Sequence, residues 1–149
     1  MPVKDLLSCP GKLAAELSRL EQRCGELRAA CTATTTHWEA AGGGAGHDAR
    51  ERCLAALADL GREKAALEGR LKEAGAAVDV FLVRFRAQYG LRSYALLRWR
   101  CRLGKTWPEV CRELEAVYGK PVSLRAAQYW YTQALAQAEE FDQKFGPLG

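Results

Sequence analysis

The 149-residue sequence has few of the residue combinations on which catalytic and metal sites depend. Its two histidines, His37 and His47, flank a glycine-rich stretch that has no paired cysteines nearby. Six cysteines are present, but no two stand in a C-x-x-C spacing, so a zinc site is not expected. The sequence also shows no carboxylate pair and no nucleophile–histidine set. These absences argue against an enzyme and give no reason to expect a metal or a cofactor.

The sequence also lacks an apolar run long enough to span a bilayer and an N-terminal signal peptide. We therefore expect an intracellular protein with no membrane partner and with reduced thiols. Because 48% of the residues are apolar, the chain can bury a core, and wholesale disorder is not expected. Cys24, Cys31 and Cys53 fall at apolar helical positions, where cysteine acts as a small hydrophobe.

Acidic residues are scarce between Arg84 and Arg125. Ten lysines and arginines stand there against three glutamates, which leaves a local excess of seven positive charges. Residues 1–83 carry eleven basic and twelve acidic residues and are nearly neutral. A basic segment beside a neutral one suggests a polyanionic partner at one end of the chain. The alternative is a basic face that is only solvated.

The first half of the chain carries two heptad seams. The first seam is formed by Leu6, Leu13, Leu17, Leu20, Cys24, Leu27 and Cys31. The second is formed by Cys53, Leu57, Leu60, Leu67, Leu71, Ala74, Val78, Phe81 and Phe85, with Lys64 as its one polar member. This a/d spacing predicts two coiled-coil helices. The first is expected to fade in the threonine-rich residues 32–36, and Asp48 is expected to cap the second, which ends near Tyr89.

Residues 40–47, AAGGGAGH, separate the two predicted helices. They lack the Gly-Lys-Ser/Thr ending of a phosphate-binding loop, so a flexible connector is the favoured interpretation. Two helices of similar length joined by a short loop predict an antiparallel hairpin over residues 1–89. Apolar edges that the hairpin leaves exposed would favour self-association, and heptads alone do not separate a hairpin from a dimer.

Residues 90–149 are predicted to form three shorter helices. Gly90 ends the long helix, and Ser93 is expected to cap a basic helix that runs from residue 94 to 103. Thr106 and Glu109 form a capping box for the next helix. An inward stripe is expected at Trp107, Val110, Cys111, Leu114 and Val117. Residues 118–121, YGKP, stop that helix.

The last helix is expected to begin after Ser123 as its N-cap. Its buried stripe is predicted at Ala127, Trp130, Ala134 and Leu135. The opposite face has no acid until Glu139, which suits a partner rich in phosphate. Gln128 could hydrogen-bond adenine, and Arg125 could bind guanine or a phosphate. The alternative is that Tyr129 and Tyr131 pack on the preceding helix.

Two stretches, LRWRCRLGKTWPEVCRELE at 97–115 and VSLRAAQYWYTQAL at 122–135, resemble the region-4 helix-turn-helix of sigma-70-type factors. The whole chain is similar to small phage and prophage proteins related to RinA- and ArpU-type transcription regulators. The resemblance implies a recognition helix over residues 124–135. It places Ser123, Arg125, Ala126, Gln128, Tyr129 and Gln133 towards a DNA groove and Arg98, Arg102 and Lys105 on phosphates. The turn at 118–122 is longer than the family's usual turn.

The expected protein is therefore all-α, with a coiled-coil hairpin over residues 1–89 and a helix-turn-helix domain over residues 90–149. The resemblance implies a phage-encoded, sequence-specific transcription regulator in the cytoplasm of a bacterial host cell. Its expected partners are double-stranded DNA, further copies of itself as a homodimer or higher homo-oligomer, and RNA polymerase. Nothing corresponds to the promoter-melting region of a complete sigma factor. The alternatives are a small terminase-like DNA-packaging subunit and a helical scaffold or interaction protein.

Overall fold

A computed structural model of the chain describes residues 2–41 and 45–146, with the side chains of residues 33–47 left undescribed. The described residues form five α-helices and no β-strand, which confirms the all-α prediction. The helices are α1 (Val3–Ala41), α2 (Ala45–Tyr89), α3 (Leu91–Leu97), α4 (Trp107–Tyr118) and α5 (Leu124–Phe145). A π-helical turn, Arg98–Arg102, continues α3.

The chain divides into two compact units, one of residues 13–71 and one of residues 1–12 and 72–149. Both unit boundaries fall inside long helices, α1 and α2. This division by packing differs from the domain division proposed from the sequence at residues 89 and 90. The latter stays a prediction.

In the unit of residues 13–71, α1 and α2 meet at two levels along their lengths. Glu21 Oε1 and Lys64 Nζ lie 3.6 Å apart. Further along α1, and earlier along α2, a side-chain interaction with Cys53 raises the pKa of the Cys31 thiol. The seam residues of both helices are buried or half-buried throughout this unit, including the polar Lys64. Later residues of α1 thus meet earlier residues of α2.

The ends of these helices differ from the sequence-based expectation. α1 does not fade in residues 32–36 but continues to Ala41. At Thr32, the hydroxyl donates a 2.9 Å hydrogen bond to the carbonyl oxygen of Arg28, a contact that threonine can make inside a helix. α2 begins at Ala45, so Asp48 lies in its first turn and is not its N-cap. The predicted loop at 40–47 is therefore largely helical backbone, and residues 42–44 lie outside the described residues.

The second unit has an aromatic core between the start of α1, the end of α2 and the end of α5. Its buried members include Leu7 from α1, Phe81 and Phe85 from α2, and Phe141 from α5. The ring of Phe141 stands edge-on to that of Phe81, with centroids 5.5 Å apart. Lys4 Nζ and Glu139 Oε1 lie 3.1 Å apart at the surface above this core. The start of α1 is thereby joined to α5.

The helix that follows α2 does not start as predicted. Gly90, with φ 87°, occupies the N-cap position of α3, and no side chain caps the helix there. Ser93 is buried, and its hydroxyl donates a 2.6 Å hydrogen bond to Oε1 of Gln137 in α5. Ser93 therefore joins α3 to α5 instead of capping α3. Gly104, with φ 65°, lies two residues beyond the π-helical turn.

Candidate nucleic-acid interface

A small apolar core holds α3, α4 and α5 together. Leu96, Val110, Leu114 and Ala127 are its buried members. Trp99, Trp107 and Trp130 are half-buried around it. Val117 was predicted to point inward, but it is 69% exposed and lies outside this core. This core therefore determines which face of α5 is buried and which face is exposed to solvent.

Two side-chain caps determine where α4 and α5 begin. Ser123 Oγ accepts a 3.1 Å hydrogen bond from the backbone N–H of Ala126, as predicted. Thr106 Oγ1 accepts a 3.4 Å hydrogen bond from the N–H of Glu109, also as predicted. The Glu109 carboxylate does not reach the backbone of Thr106, and instead accepts a 3.0 Å hydrogen bond from the Thr106 hydroxyl. Gly119, with φ 71°, ends α4 in a left-handed conformation that glycine adopts without strain.

The outer face of α5 carries the residues that the sequence assigned to the DNA groove. Ser123, Arg125, Gln128, Tyr129 and Gln133 are exposed, and Ala126 is half-buried. Tyr129 is 61% exposed, and its hydroxyl accepts a 3.0 Å hydrogen bond from Gln133 Nε2. Tyr129 therefore does not pack on the preceding helix. The exposed positions of α5 before Glu139 are free of acidic residues.

Tyr131 follows the alternative interpretation and packs inward. Its ring stands edge-on to Trp107, with centroids 5.4 Å apart, and its hydroxyl lies 3.5 Å from the Cys101 sulfur. Burial raises the pKa of the Tyr131 phenol far above its usual range, and the contact with Cys101 raises it further. Burial likewise raises the pKa of the Cys101 thiol. Both groups are therefore neutral parts of the core at physiological pH.

The three basic residues predicted to contact phosphates have different surroundings. Arg102 Nε donates a 3.0 Å hydrogen bond to Asp79 Oδ1, and Lys105 Nζ lies 3.0 Å from Glu113 Oε1. Arg98 is exposed and forms no ion pair with any residue that the structure describes. The same holds for Arg125 on α5. Arg98 and Arg125 are thus the members of the predicted set whose charge is not offset by a carboxylate.

Several other arginines of the basic segment lie over aromatic rings. The guanidinium of Arg100 is 4.5 Å from the centroid of Trp107, and that of Arg92 is 4.8 Å from the centroid of Trp130. Arg100 also donates a 2.8 Å hydrogen bond to the carbonyl oxygen of Lys105. Cation–π contacts of this kind stabilise the fold. Part of the positive excess therefore serves packing.

Sequence reasoning did not assign a role to two further exposed basic residues, Arg112 and Lys120. Arg112 lies on α4, where its Nε donates to the carbonyl oxygen of Pro108 at 3.5 Å. Lys120 lies in the turn between α4 and α5. The sequence signal that could have identified Lys120 as a phosphate contact is its position next to the start of α5. A basic side chain there adds positive charge beside the N-terminal end of a helix.

The structure contains no described helix that is both long and apolar enough to cross a membrane. Within residues 2–41 and 45–146, as far as their side chains are described, no group of three or more His, Cys, Asp or Glu is arranged to hold a metal ion. No family model, no curated protein and no solved structure matches the chain.

Proposed function

We propose that the chain is a sequence-specific DNA-binding transcription regulator, in which α4, residues 119–123 and α5 act as a helix-turn-helix. The observation that carries this proposal is the exposed, acid-free face at the start of α5. Arg125 and Gln128 stand one helical turn apart on it. Arginine and glutamine are side chains that form paired hydrogen bonds to guanine and adenine in the major groove.

Phosphate contacts would come first from Arg98, which no carboxylate offsets. Arg102 and Lys105 remain in the proposed set, because their ion pairs are partly exposed and such pairs contribute only about 0.2–1 kcal/mol. A phosphate can replace the carboxylate at little cost. Arg112 and Lys120 join the set as exposed basic residues on α4 and in the turn.

The two long helices would serve as the antiparallel coiled-coil hairpin and mediate self-association. Support for the hairpin comes from the pairing of Glu21 with Lys64 and of Cys31 with Cys53 across the seam. Support for self-association comes from the end of α2, where Val80 is 56% and Val83 is 68% exposed. A homodimer would present two recognition helices to two half-sites about one turn of DNA apart.

The biological setting stays with the family resemblance. It comprises a phage-encoded regulator in the cytoplasm of a bacterial host cell, with RNA polymerase as a second partner.

Turn length matters for this proposal, because the turn sets the angle of α5 in the groove. Here the turn comprises residues 119–123, between Tyr118 at the end of α4 and Leu124 at the start of α5.

Binding to random and selected duplex DNA as a function of salt concentration tests the proposal. The wild-type protein should lose affinity steeply as salt rises, since each neutralised phosphate adds about 0.9 to the slope of log K against log salt. The double variant Arg125→Ala/Gln128→Ala should lose selectivity for the selected sequence and bind it at least about tenfold more weakly.

A matched control removes the same two residue types elsewhere. Arg70 and Gln143 are exposed, on α2 and near the end of α5. The variant Arg70→Ala/Gln143→Ala has the same net charge as the test variant and should keep wild-type selectivity. A wild-type protein without salt-dependent binding would refute DNA binding altogether. Equal losses in both double variants would refute the assignment of α5 as the recognition helix.

A further inference from the structure

Two thiols from different helices lie side by side in the unit of residues 13–71. Cys31 is on α1 and Cys53 is on α2, and both are half-buried. The neighbouring Cys53 side chain, together with burial, raises the pKa of Cys31. Neither the heptad pattern nor the proposed DNA-binding surface requires a thiol at either position, because leucine or alanine would fill the seam equally well.

The register of the helix pair supports this contact independently. Glu21 on α1 meets Lys64 on α2, with their charged atoms 3.6 Å apart. From Glu21 the chain advances ten residues to reach Cys31, and from Lys64 it goes back eleven to reach Cys53. Since each residue of an α-helix advances about 1.5 Å along the axis, the two paths have nearly equal lengths. The antiparallel pair therefore brings Cys31 and Cys53 to the same level.

We infer that Cys31 and Cys53 are a thiol–disulfide modification site, where a disulfide oxidant of the glutathione class converts the pair into a reversible link between α1 and α2. The link is intramolecular. It goes beyond the proposed function, since it concerns neither α5 nor DNA.

The chemistry balances with that one co-reactant. The thiolate of one cysteine attacks a sulfur of glutathione disulfide, which forms a mixed disulfide and releases one glutathione thiolate. The thiolate of the second cysteine then attacks the protein sulfur of the mixed disulfide and displaces the second glutathione. Two protein thiols are oxidised to one disulfide, and one glutathione disulfide is reduced to two glutathione molecules. Since the attacking species is the thiolate and the pKa of Cys31 is raised, the reaction should accelerate as the pH rises.

Other cysteines provide an internal control. Cys24 lies on the same helix and is buried in the same seam, one heptad before Cys31. The second helix has a leucine, Leu60, seven residues beyond Cys53. Cys24 therefore has no cysteine at its level on α2, and Cys24→Ser removes a seam thiol without touching the proposed site.

Peptide mapping of the full-length protein after treatment with glutathione disulfide tests the inference. Trypsin cleaves after Arg28, Arg50, Arg52 and Arg62, which places Cys31 in peptide 29–50 and Cys53 in peptide 53–62. Cys24 falls in the separate peptide 24–28. The wild-type protein and Cys24→Ser should yield peptides 29–50 and 53–62 joined by a disulfide, in a species that migrates as a monomer without reductant. Cys31→Ser should yield none of this linked species, and dithiothreitol should reverse the link.

Each other outcome would overturn the inference. One such outcome is a folded protein that yields no linked peptides after treatment and whose six thiols can all still be titrated once it is denatured. It would show that the two sulfurs do not react with each other. The same conclusion follows if Cys31 and Cys53 each carry a separate glutathione adduct. Linked peptides found only in a covalent dimer would replace the intramolecular site with one between two copies. Circular dichroism of Cys31→Ser checks that the variant is folded, and Cys53→Ser repeats the test from the other helix.

Discussion

Charge alone does not make an arginine available to DNA, as Arg98 and Arg102 illustrate. They lie four residues apart in the same π-helical turn. Arg98 is exposed without a carboxylate partner among the described residues, whereas Arg102 pairs with Asp79 and its guanidinium lies close to Gly75. The difference arises because α2 passes Arg102 and presents Asp79 there. The two arginines should therefore respond differently to truncation.

We expect Arg98→Ala to lower the slope of log K against log salt by about one unit and to leave the unfolding midpoint unchanged. Arg102→Ala should also lower the free energy of unfolding, by up to about 1 kcal/mol, the range of a partly exposed ion pair. Asp79→Asn offers the reciprocal test, because it releases Arg102 and should tighten DNA binding. DNA titrations and urea unfolding on the same samples measure both effects. An unchanged salt slope in Arg98→Ala would contradict its assignment to a phosphate.

The contact between Cys101 and Tyr131 makes stability sensitive to alkaline pH. Burial raises the pKa of Cys101 above its ordinary 9.0 and that of Tyr131 above its ordinary 10.0. The folded protein thus holds both protons more tightly than the unfolded chain does. This contribution to stability is complete below about pH 9 and is lost as the pH rises through the raised values.

We therefore expect the free energy of unfolding to decrease between pH 9 and pH 11. A variant without the two groups gives the part of this decrease that comes from other groups. Cys101→Ala/Tyr131→Phe removes both titrating groups and should flatten that decrease, although its stability at pH 7 will be lower because a buried contact is lost. Urea unfolding at several pH values measures the slopes. Equal slopes in the wild type and the double variant would exclude this pair as the source.

Among the helices, α4 and α5 have well-defined beginnings and α3 does not. Ser123 and Thr106 cap α5 and α4 with their side-chain oxygens, while Gly90 offers α3 no side-chain cap. α3 compensates through tertiary contacts, notably the hydrogen bond from Ser93 to Gln137. A helix of seven residues is too short to be stable alone, so packing on α5 must hold it.

Removal of a cap should destabilise α4 without a change in the core. Thr106→Ala deletes the acceptor for the N–H of Glu109 and should lower the free energy of unfolding by about 1 kcal/mol. Thr106→Ser keeps the hydroxyl and should be close to the wild type. Thr106 is preferable to Ser123 for this test, since Ser123 is also a proposed DNA contact. Denaturant unfolding measures the effect. A wild-type free energy of unfolding in Thr106→Ala would show that the cap does not contribute to stability.

At the scale of the whole molecule, the end of α2 has two apolar sides. Phe81 and Phe85 on one side are buried in the aromatic core. Val80 and Val83 on the other are more than half exposed, and Ala76 and Ala87 extend their row at spacings of four, three and four residues. Such spacing forms one stripe on a helix. An uncovered stripe is the feature of this structure most suited to self-association.

We expect Val83→Asp to weaken self-association, because burial of an unpaired carboxylate in an apolar contact is costly. Gln88→Asp adds the same charge on another side of α2 and should leave association unchanged. Both positions are exposed, so the monomer's free energy of unfolding should change by no more than about 0.5 kcal/mol. Sedimentation equilibrium measures the oligomer. A monomeric wild type would refute the self-association proposal, and a ring of eight or more copies would favour the DNA-packaging alternative.

Features that depend on local spacing could be predicted from the sequence. Thr106 and Gly119 marked the two ends of α4, and Ser123 marked the start of α5. The heptad positions within residues 13–71 are buried or half-buried, while the coiled coil itself stays a prediction. These features depend on hydrogen bonds and side-chain periodicity within a few residues, which a linear pattern records. The predictions for Asp48 and Ser93 as caps were wrong because a capable residue becomes a cap only where the helix actually begins.

Helix packing determines which side chains of the basic segment face solvent and which are held by carboxylates or aromatic rings. Asp79 and Arg102 are 23 residues apart in sequence, and Cys101 and Tyr131 are 30 apart. Whether such groups meet depends on how helices pack, and no local pattern contains that information. The sequence could therefore propose a basic DNA-binding segment, whereas packing separated exposed Arg98 and Arg125 from the arginines held by carboxylates and aromatic rings.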